Sequence, residues 1–228
     1  MTIADRNAEL AMRAVLARET PECGIDGEEF DPEKPDAPWR WVLDPIDGTR
    51  AFITGRPTFG TLIALLHGDT PVVGIIDQPV TGERWVGAAG RPTVFSGPLG
   101  GQAGTRACPD LSTAELSATS PEMFGADLIR FRNLAAKVRR NYWGGDCYAY
   151  GLLALGQIDL IVECDLKVWD WAALGPVIHG AGGLLTDWHG NKLRSDGDGR
   201  VIAVGDPALL PAVVAALGWP RHTGVTPG

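Results

Sequence analysis

The chain has 228 residues, of which 45% are hydrophobic, so it can bury a sizeable core as one large α/β domain or two small ones, and we expect one compact unit. Its formal net charge of −8 disfavours nucleic acid or an anionic membrane as the main partner, since both bind clustered Lys and Arg. No stretch approaches the roughly 20 apolar residues of a spanning helix and no leader segment is visible at the N-terminus, so we expect a soluble cytoplasmic protein.

The first part of the chain predicts a helix followed by strands. Apolar residues at a helical period among charged ones indicate an amphipathic helix over residues 4–18. Residues 31–38 carry prolines and charges and predict a mobile loop before a strand that begins at Trp39. Short apolar runs separated by turn signals then predict an antiparallel meander. These runs cover residues 61–66, 72–76 and 84–88.

The second part predicts alternating strands and helices after a linker at 96–113, a pattern typical of sheet layers covered by helices. Strands are predicted over 116–119, 159–163, 184–187 and 201–204. Helices are predicted over 123–138, 147–155, 170–179 and 207–217. Gly218 marks the end of the last helix, and residues 219–228 are expected to form a frayed tail.

Residues 41–49, Trp-Val-Leu-Asp-Pro-Ile-Asp-Gly-Thr, are the most informative segment. An apolar strand-like run stops at Asp44 and Asp47, two carboxylates that repel each other unless a cation neutralises them. Gly48 and Thr49, opening a helix, would direct free backbone N–H groups at a phosphate. The same residue types also form turns without a metal. Taken alone, the segment leaves both alternatives open: a plain turn, or a divalent metal site beside a phosphate seat.

Further motifs favour the metal site. They are Gly-Glu-Glu at 27–29, Trp-Asp-Trp-Ala-Ala at 169–173 and Gly-Ala-Gly-Gly at 180–183. In this order, with the segment at 44–49, they resemble the motifs of the inositol monophosphatase family of magnesium-dependent phosphatases. The likeness extends from Thr2 to about Leu217. Residues 47–57 and 143–151 are most similar to the histidinol-phosphate phosphatase branch of that family.

The resemblance implies a fold and a domain organisation. The fold is a layered α-β-α-β-α sandwich of the sugar phosphatase type, in the α+β or α/β class. A single catalytic domain is expected over residues 1–218, with subregions at about 1–112 and 113–218. Family members usually have a further helix before the Thr-x-x-Asp motif, which stands here at residues 2–5, directly after Met1. We therefore expect a shortened N-terminus, from a misassigned start codon or trimming, and an exposed apolar patch on the first helix.

The resemblance also implies a metal centre. Magnesium takes oxygen ligands, and the scattered histidines and unpaired cysteines argue against zinc. Two or three Mg²⁺ ions are implied. Their implied ligands are Glu28, Asp44, the backbone carbonyl of Ile46, Asp47 and Asp170. On residue type alone, Asp170 would rather be a helix N-cap.

Catalytic and phosphate-binding roles follow from the same resemblance. Glu28 and Thr49 are implied to position the attacking water, with Asp5 orienting Thr49. The backbone amides of Gly48 and Thr49 are implied to hold the phosphate. Arg50 has two equal interpretations, since it either reaches the ester or caps a neighbouring carboxylate.

Asp146 and Glu163 are the predicted contacts for the rest of the substrate. Histidinol phosphate carries an ammonium and an imidazole, so its site needs carboxylates where an inositol site needs neutral hydrogen-bonding groups. A helix cap is the alternative for Asp146; a charge after a buried strand, as at Glu163, usually faces a site or a partner. Trp169 and Trp171 flank Asp170 and are expected to wall the pocket or to form a dimer contact.

The leading hypothesis is a magnesium-dependent phosphomonoesterase that releases phosphate from histidinol phosphate in histidine biosynthesis. An inositol monophosphatase or broader sugar-phosphate phosphatase is the alternative within the same class. A shortened relative that binds metal or a partner without turnover is the alternative from another class. The expected partners are a small phosphate ester and, as is common in the family, a second copy of the chain in a homodimer.

Overall fold

A computed structural model of the protein describes residues 2–218. The α-helices are α1 (Ile3–Glu19), α2 (Thr49–Ile53), α3 (Leu128–Ala135), α4 (Asp146–Ala154), α5 (Val168–Trp171), α6 (Leu174–Ala181) and α7 (Leu210–Leu217). The strands are β1 (Gly24–Gly27), β2 (Trp39–Asp47), β3 (Gly60–His67), β4 (Thr70–Gln78), β5 (Glu83–Ala88), β6 (Val94–Ser96), β7 (Glu115–Ala118), β8 (Arg140–Trp143), β9 (Leu160–Glu163), β10 (Leu184–Thr186) and β11 (Val201–Val204). Among residues 2–218, no helix has both the length and the apolar character needed to cross a membrane. The tail predicted over 219–228 lies outside the described residues.

The first sheet contains β1 to β6 in chain order. β1 and β2 are parallel, and every later pair is antiparallel, which confirms the meander predicted for β3, β4 and β5. Along β3, buried and half-buried residues alternate, as they do in a strand with one face on the core. The register between β2 and β3 breaks between Asp44 and Asp47, on either side of Pro45, which has no N–H to donate. The end of β2 therefore leaves the regular ladder where its two aspartates stand.

The second sheet has the strand order β10-β11-β9-β7-β8. β10, β11 and β9 are antiparallel neighbours, whereas β7 is parallel to both β9 and β8. All residues of β7, β9 and β11 are buried, because both faces of these central strands are covered.

Helices and sheets alternate in layers. α1 packs against β2, the group α4 to α6 lies between the two sheets, and α3 packs with α7 over the outer face of the second sheet. Strand β9 shows how one strand serves two cores: Ile161 belongs to the core between the sheets, while Leu160 and Val162 belong to the outer core. Successive side chains of a strand point to opposite faces, so this division follows directly from the pleat. The order of layers agrees with the predicted α-β-α-β-α sandwich.

The structure corrects several predicted elements. The helix predicted over 123–138 is a 3-10 segment, Pro121–Asp127, followed by the shorter α3, and Gly125 at φ 48° interrupts the 3-10 segment. The helix predicted over 170–179 is divided between α5 and α6. β1, β6 and β8 were not predicted. The residues of β6 and β8 are mostly exposed or half-buried, so these strands lack the apolar alternation by which a strand is recognised.

Candidate active site

Three aspartates meet at the end of β2. Asp44 and Asp47 come from β2, and Asp170 comes from α5 in the layer between the sheets. One carboxylate oxygen of each residue lies within 4.8 Å of those of the other two. Asp44 is the most deeply buried of the three, at 2% exposure. The fold thus brings Asp170 together with two predicted ligands from a distant part of the chain.

The alternative of an N-cap is wrong for Asp170, because Lys167 is the N-cap of α5. Asp170 nevertheless supports the start of this helix. It stands at the third position of α5, and its Oδ2 accepts a hydrogen bond from the Lys167 backbone N–H at 2.6 Å. This bond satisfies one of the free amides at the start of the helix. A carboxylate has two oxygens, so the cap leaves the other for the cluster with Asp44 and Asp47.

The cluster is electrostatically unfavourable without a cation. Burial, followed by the charges of Asp47, Glu28 and Asp170, raises the pKa of Asp44 well above its ordinary value. Burial and then the charge of Asp170 raise the pKa of Asp47 in the same way. Burial raises the pKa of Asp170 to about 7. Burial and repulsion therefore disfavour the ionised form of these carboxylates, and a positive charge between them would offset both effects.

Glu28 lies at the outer side of this cluster. It follows β1, and its backbone N–H donates to the Leu43 carbonyl at 3.2 Å, which places it beside the end of β2. Its side chain is more exposed to solvent than those of the three aspartates, yet its charge contributes to the raised pKa of Asp44. Burial and the charge of Asp5 in turn raise the pKa of Glu28.

Thr49 connects the cluster to α1. The Thr49 hydroxyl lies 3.4 Å from Asp5 Oδ1 and 3.3 Å from the Ile46 carbonyl oxygen. Asp5 is fully buried and also accepts a bond from the Thr2 backbone N–H. Gly48, at φ 83°, is the N-cap of α2 and turns the chain so that Thr49 begins the helix. The predicted group of Asp5, Thr49 and Ile46 is therefore in contact.

A cleft opens beside these residues. Its wider part has a volume of about 630 Å³, and its deeper part has about 160 Å³. The wider part includes Gly48, Thr49 and Arg50 among its lining residues. The deeper part is lined by Asp47, Thr119, Met123, Asp146, Cys147, Tyr150, Glu163, Leu166 and Asp170. Since Asp146 lines both parts, two members of the cluster, Asp47 and Asp170, share this cleft with Gly48 and Thr49.

Asp146 lies directly against the turn at Gly48. A Cβ on Gly48 would stand 2.8 Å from the Asp146 carboxyl carbon, so only glycine fits there. The predicted alternative, a helix cap, is wrong: the N-cap of α4 is Gly145, and Asp146 makes no side-chain cap bond. Burial raises the pKa of Asp146, against the opposing charges of Arg50 and Arg56.

Glu163, at the end of β9, is buried and fully hydrogen-bonded on both oxygens. Its Oε1 accepts from the Thr119 backbone N–H at 2.8 Å and from the Thr119 hydroxyl at 2.6 Å, and its Oε2 accepts from the Tyr150 hydroxyl at 2.8 Å. Cys147 lines the same part of the cleft, and its backbone N–H donates to Asp47 at 2.5 Å. Three residues of this part of the cleft, Thr119, Tyr150 and Cys147, were not predicted as site residues. No local sequence pattern distinguishes them from core residues.

The aromatic wall predicted beside Asp170 is elsewhere. Trp171 is buried and lines a separate cavity of about 550 Å³ on the other side of the helix layer, and Trp169 lines another surface pocket. Residues adjacent in a helix point about 100° apart, so neighbours of an inward aspartate need not share its cavity. The ring in the deep part of the cleft belongs to Tyr150.

Comparison with known proteins identifies the family. The model of a family described as the inositol monophosphatase family matches residues 1–218. A protein named bifunctional phosphatase IMPL2, chloroplastic, from Arabidopsis thaliana is 43% identical over 229 residues, covering 96% of this chain but 65% of that protein. The chain thus spans just under two thirds of that relative. A histidinol-phosphatase from Chlorobaculum parvum is 35% identical, covering 96% of this chain and 83% of the relative.

A solved structure gives the same result for the fold. The inositol monophosphatase from Zymomonas mobilis matches with a TM-score of 0.88 and 50% identity, covering 94% of this chain and 83% of that one. The predicted fold class, an α+β layered sandwich of this type, is therefore confirmed.

Proposed function

The chain belongs to the inositol monophosphatase family, and from that premise we propose that it is a magnesium-dependent phosphomonoesterase that hydrolyses histidinol phosphate to histidinol and phosphate. One observation carries the proposal. Asp47 and Asp170, two members of the cluster with Asp44, line the same cleft as two further carboxylates, Asp146 and Glu163. The aspartate cluster can bind cations that hold a phosphoryl group. Asp146 and Glu163 can bind a cationic part of the same substrate.

The donor set fits Mg²⁺. All the donors are oxygens that converge to within 4.8 Å of one another, so a small inward movement would bring them to the roughly 4.2 Å that ligands about 2.1 Å from one ion can span at most. We place Asp44, Asp47 and Asp170 around one ion, with Glu28 and the Ile46 carbonyl completing sites for two or three ions in all. When bound, these ions supply an activated water and neutralise the phosphoryl group.

The protein groups then orient the reactants. The Thr49 hydroxyl, held between Asp5 and the Ile46 carbonyl, donates its proton to one of them and offers a lone pair to the attacking water. Glu28 stands on the same side and accepts a bond from that water. The phosphate oxygens rest on the backbone amides of Gly48 and Thr49, at the start of α2.

The remainder of the substrate extends into the deeper part of the cleft. Glu163 is a fixed acceptor, because three donors from Thr119 and Tyr150 hold both of its oxygens in place. Asp146 lies between this residue and the phosphate seat at Gly48. Two carboxylates in a buried space favour an ammonium group over a neutral hydroxyl.

An inositol phosphate or another sugar phosphate is the second candidate. The 50% identity to the inositol monophosphatase from Zymomonas mobilis favours it. The non-catalytic alternative is opposed by the cluster itself, because converging buried carboxylates are costly to keep together without a function.

A phosphate-release assay over a small panel of esters tests the proposal. We expect release from histidinol phosphate to require Mg²⁺ and to have a kcat/KM at least about tenfold above that of inositol 1-phosphate. Asp146→Asn should raise KM for histidinol phosphate about tenfold and leave KM for inositol phosphate nearly unchanged. Faster hydrolysis of inositol phosphate by the wild type would establish the second candidate. No release from any ester would favour the non-catalytic one.

The proposal also includes three expectations from the sequence. They are a homodimer, a cytoplasmic location and a division of the domain near residue 112. Gel filtration combined with light scattering tests the first of them.

A further inference from the structure

The buried face of α1 is charged rather than apolar. Asp5, Glu9 and Arg13 follow each other at intervals of four residues and are 0%, 0% and 6% exposed, whereas Leu10 is 51% exposed. An amphipathic helix ordinarily buries its apolar residues, so this face needs another explanation. Asp5 reaches Thr49, as described above. Glu9 and Arg13 have no such contact with the aspartate cluster.

Glu9 instead holds the backbone around Glu28. Its Oε2 accepts the Glu29 backbone N–H at 2.9 Å, and its Oε1 accepts Arg13 Nε at 2.8 Å. The same carboxylate lies so close to Gly27 that a Cβ on that residue would overlap it. The Glu9 carboxylate therefore fixes the chain on both sides of Glu28.

Arg13 connects the residues that follow Glu28 to the Glu9 carboxylate. Its Nη1 donates to Glu33 Oε1 at 2.9 Å, and its Nη2 donates to the Phe30 carbonyl at 3.2 Å. Glu33 also exchanges two backbone hydrogen bonds with Ile25, at 2.9 and 2.8 Å. The segment 25–33 is thus a closed reversal of the chain, with Glu28 near its turning point and one guanidinium holding its returning arm.

We propose that Glu9 and Arg13 are positioning residues that hold Glu28 against the cluster and thereby set the affinity of the protein for its cations. The inference rests on the proposed function, in which Glu28 is a metal ligand. Glu28 needs such support because it is more exposed than the aspartates, so a displaced backbone would carry its carboxylate away from the cluster. Partners that orient a ligand from behind commonly change metal affinity when they are removed.

Arg13→Lys tests the inference. Lysine keeps the positive charge but cannot form the fork that joins Glu9, Glu33 and the Phe30 carbonyl. We expect Mg²⁺ alone, titrated calorimetrically into the metal-free protein without substrate, to bind about tenfold more weakly. The Mg²⁺ concentration for half-maximal activity should rise by the same factor, while kcat at saturating Mg²⁺ stays within about twofold.

Arg18→Lys is the matched control. Arg18 lies on the same helix and also pairs with a glutamate, Glu19, at 2.7 Å, but both side chains are exposed. Mg²⁺ affinity in this variant should equal that of the wild type. Thermal melting of both variants records any general loss of stability, and a structural role alone would lower the melting temperature of Arg13→Lys without changing its Mg²⁺ affinity.

Glu33→Gln keeps the test decisive if Arg13→Lys does not fold. Glu33 is largely exposed, so the variant replaces the ion pair with Arg13 by a weaker neutral hydrogen bond without leaving a buried charge unpaired, and we expect Mg²⁺ binding about two- to threefold weaker. Wild-type affinity in a folded Arg13→Lys, or failing that in Glu33→Gln, overturns the inference and leaves the proposed function intact. A wild-type protein that binds no Mg²⁺ overturns both together.

Discussion

The two groups of carboxylates at the cleft are held in opposite ways. Asp44, Asp47 and Asp170 each accept a backbone N–H, but the charges of Asp47 and Asp170 raise the pKa of Asp44, and the charge of Asp170 raises the pKa of Asp47. Glu163 also has a pKa raised by burial, yet hydrogen bonds from Thr119 and Tyr150 oppose that rise. The aspartates are therefore left dependent on an external positive charge, whereas Glu163 is stabilised by the protein alone.

The difference separates a cation site from a recognition site on physical grounds. A buried carboxylate that is to bind a metal must keep an oxygen free and accepts repulsion in the metal-free state. A buried carboxylate that is to recognise a substrate needs a fixed direction, which neutral hydroxyl and amide donors provide. Variants in the aspartate cluster should consequently change activity and metal-free stability, whereas variants around Glu163 should change KM for the substrate.

Asp44→Asn should have the largest effect. The variant removes a ligand of the ion that Asp44, Asp47 and Asp170 are proposed to share, and we expect kcat/KM to fall by at least about a thousandfold, roughly 4 kcal/mol of transition-state stabilisation. The same change removes a buried charge that Asp47, Glu28 and Asp170 repel, so the metal-free variant should melt at a higher temperature than the metal-free wild type. Phosphate release and thermal melting without Mg²⁺ measure the two effects.

Asp77→Asn is the control for that experiment. Asp77 lies on β4 of the same sheet, and its carboxylate is paired with Arg84 Nε at 2.6 Å. Its replacement should leave activity unchanged and should not stabilise the metal-free protein. Equal melting temperatures for metal-free Asp44→Asn and wild type would show that repulsion in the cluster is unimportant.

Stability in the absence of metal should depend on pH in an unusual direction. A carboxyl with a folded-state pKa raised above its unfolded value contributes stability below the unfolded pKa, and this contribution is lost as pH rises through the folded pKa. For Asp170 that window runs from 3.8 to about 7. We expect the cluster to lower the free energy of unfolding by on the order of 2 kcal/mol as pH rises through this window, and Mg²⁺ to restore it.

Urea unfolding at pH 5, 6 and 7, with and without Mg²⁺, measures this effect. Other ionisable groups influence both series alike, so the difference between the series isolates the cluster. Asp170→Asn should reduce the Mg²⁺-dependent part of the slope. If the free energy of unfolding of the wild type changes equally with pH in both series, the carboxylates of the cluster do not govern this pH dependence.

Tyr150→Phe should have the smallest effect, and it should change substrate binding but not cation binding. The variant removes one of the three hydrogen bonds to Glu163, and we expect KM for histidinol phosphate to rise about two- to fourfold, with Mg²⁺ affinity unchanged. Tyr148→Phe is the matched control, since Tyr148 lies on the same helix and its hydroxyl donates to Glu83 at 2.7 Å, outside the cleft. Equal KM values for the two variants would argue against Glu163 as a substrate contact.

The cation side of the site could largely be anticipated from the sequence. Asp44 and Asp47 fall within one local motif, and their density already indicates a cation. Asp170 could be added only through the family resemblance, because nothing local distinguishes it from a helix cap. The recognition side was harder: Thr119 and Glu163 are 44 positions apart, and only the parallel pairing of β7 with β9 brings them together.

The fold was predictable where patterns are regular. Strands β3 to β5 alternate, and β11 is a short apolar run, so their positions were close to those observed. The helix predicted over 123–138 failed because apolar spacing does not reveal that Gly125 adopts a positive φ. The charged inner face of α1 was also missed, since a helical period in apolar residues assigns them to the core by default.

The connection between the two sheets passes through a fully solvent-exposed Leu99, followed by Gly100 and Gly101. Glu28, Asp44 and Asp47 precede this point, while Asp146, Glu163 and Asp170 follow it. Cleavage there would therefore yield two fragments that each carry half of the charged centre. Phosphate release would then report on whether the fragments find each other, which makes this connection a natural place to divide the chain for a complementation assay.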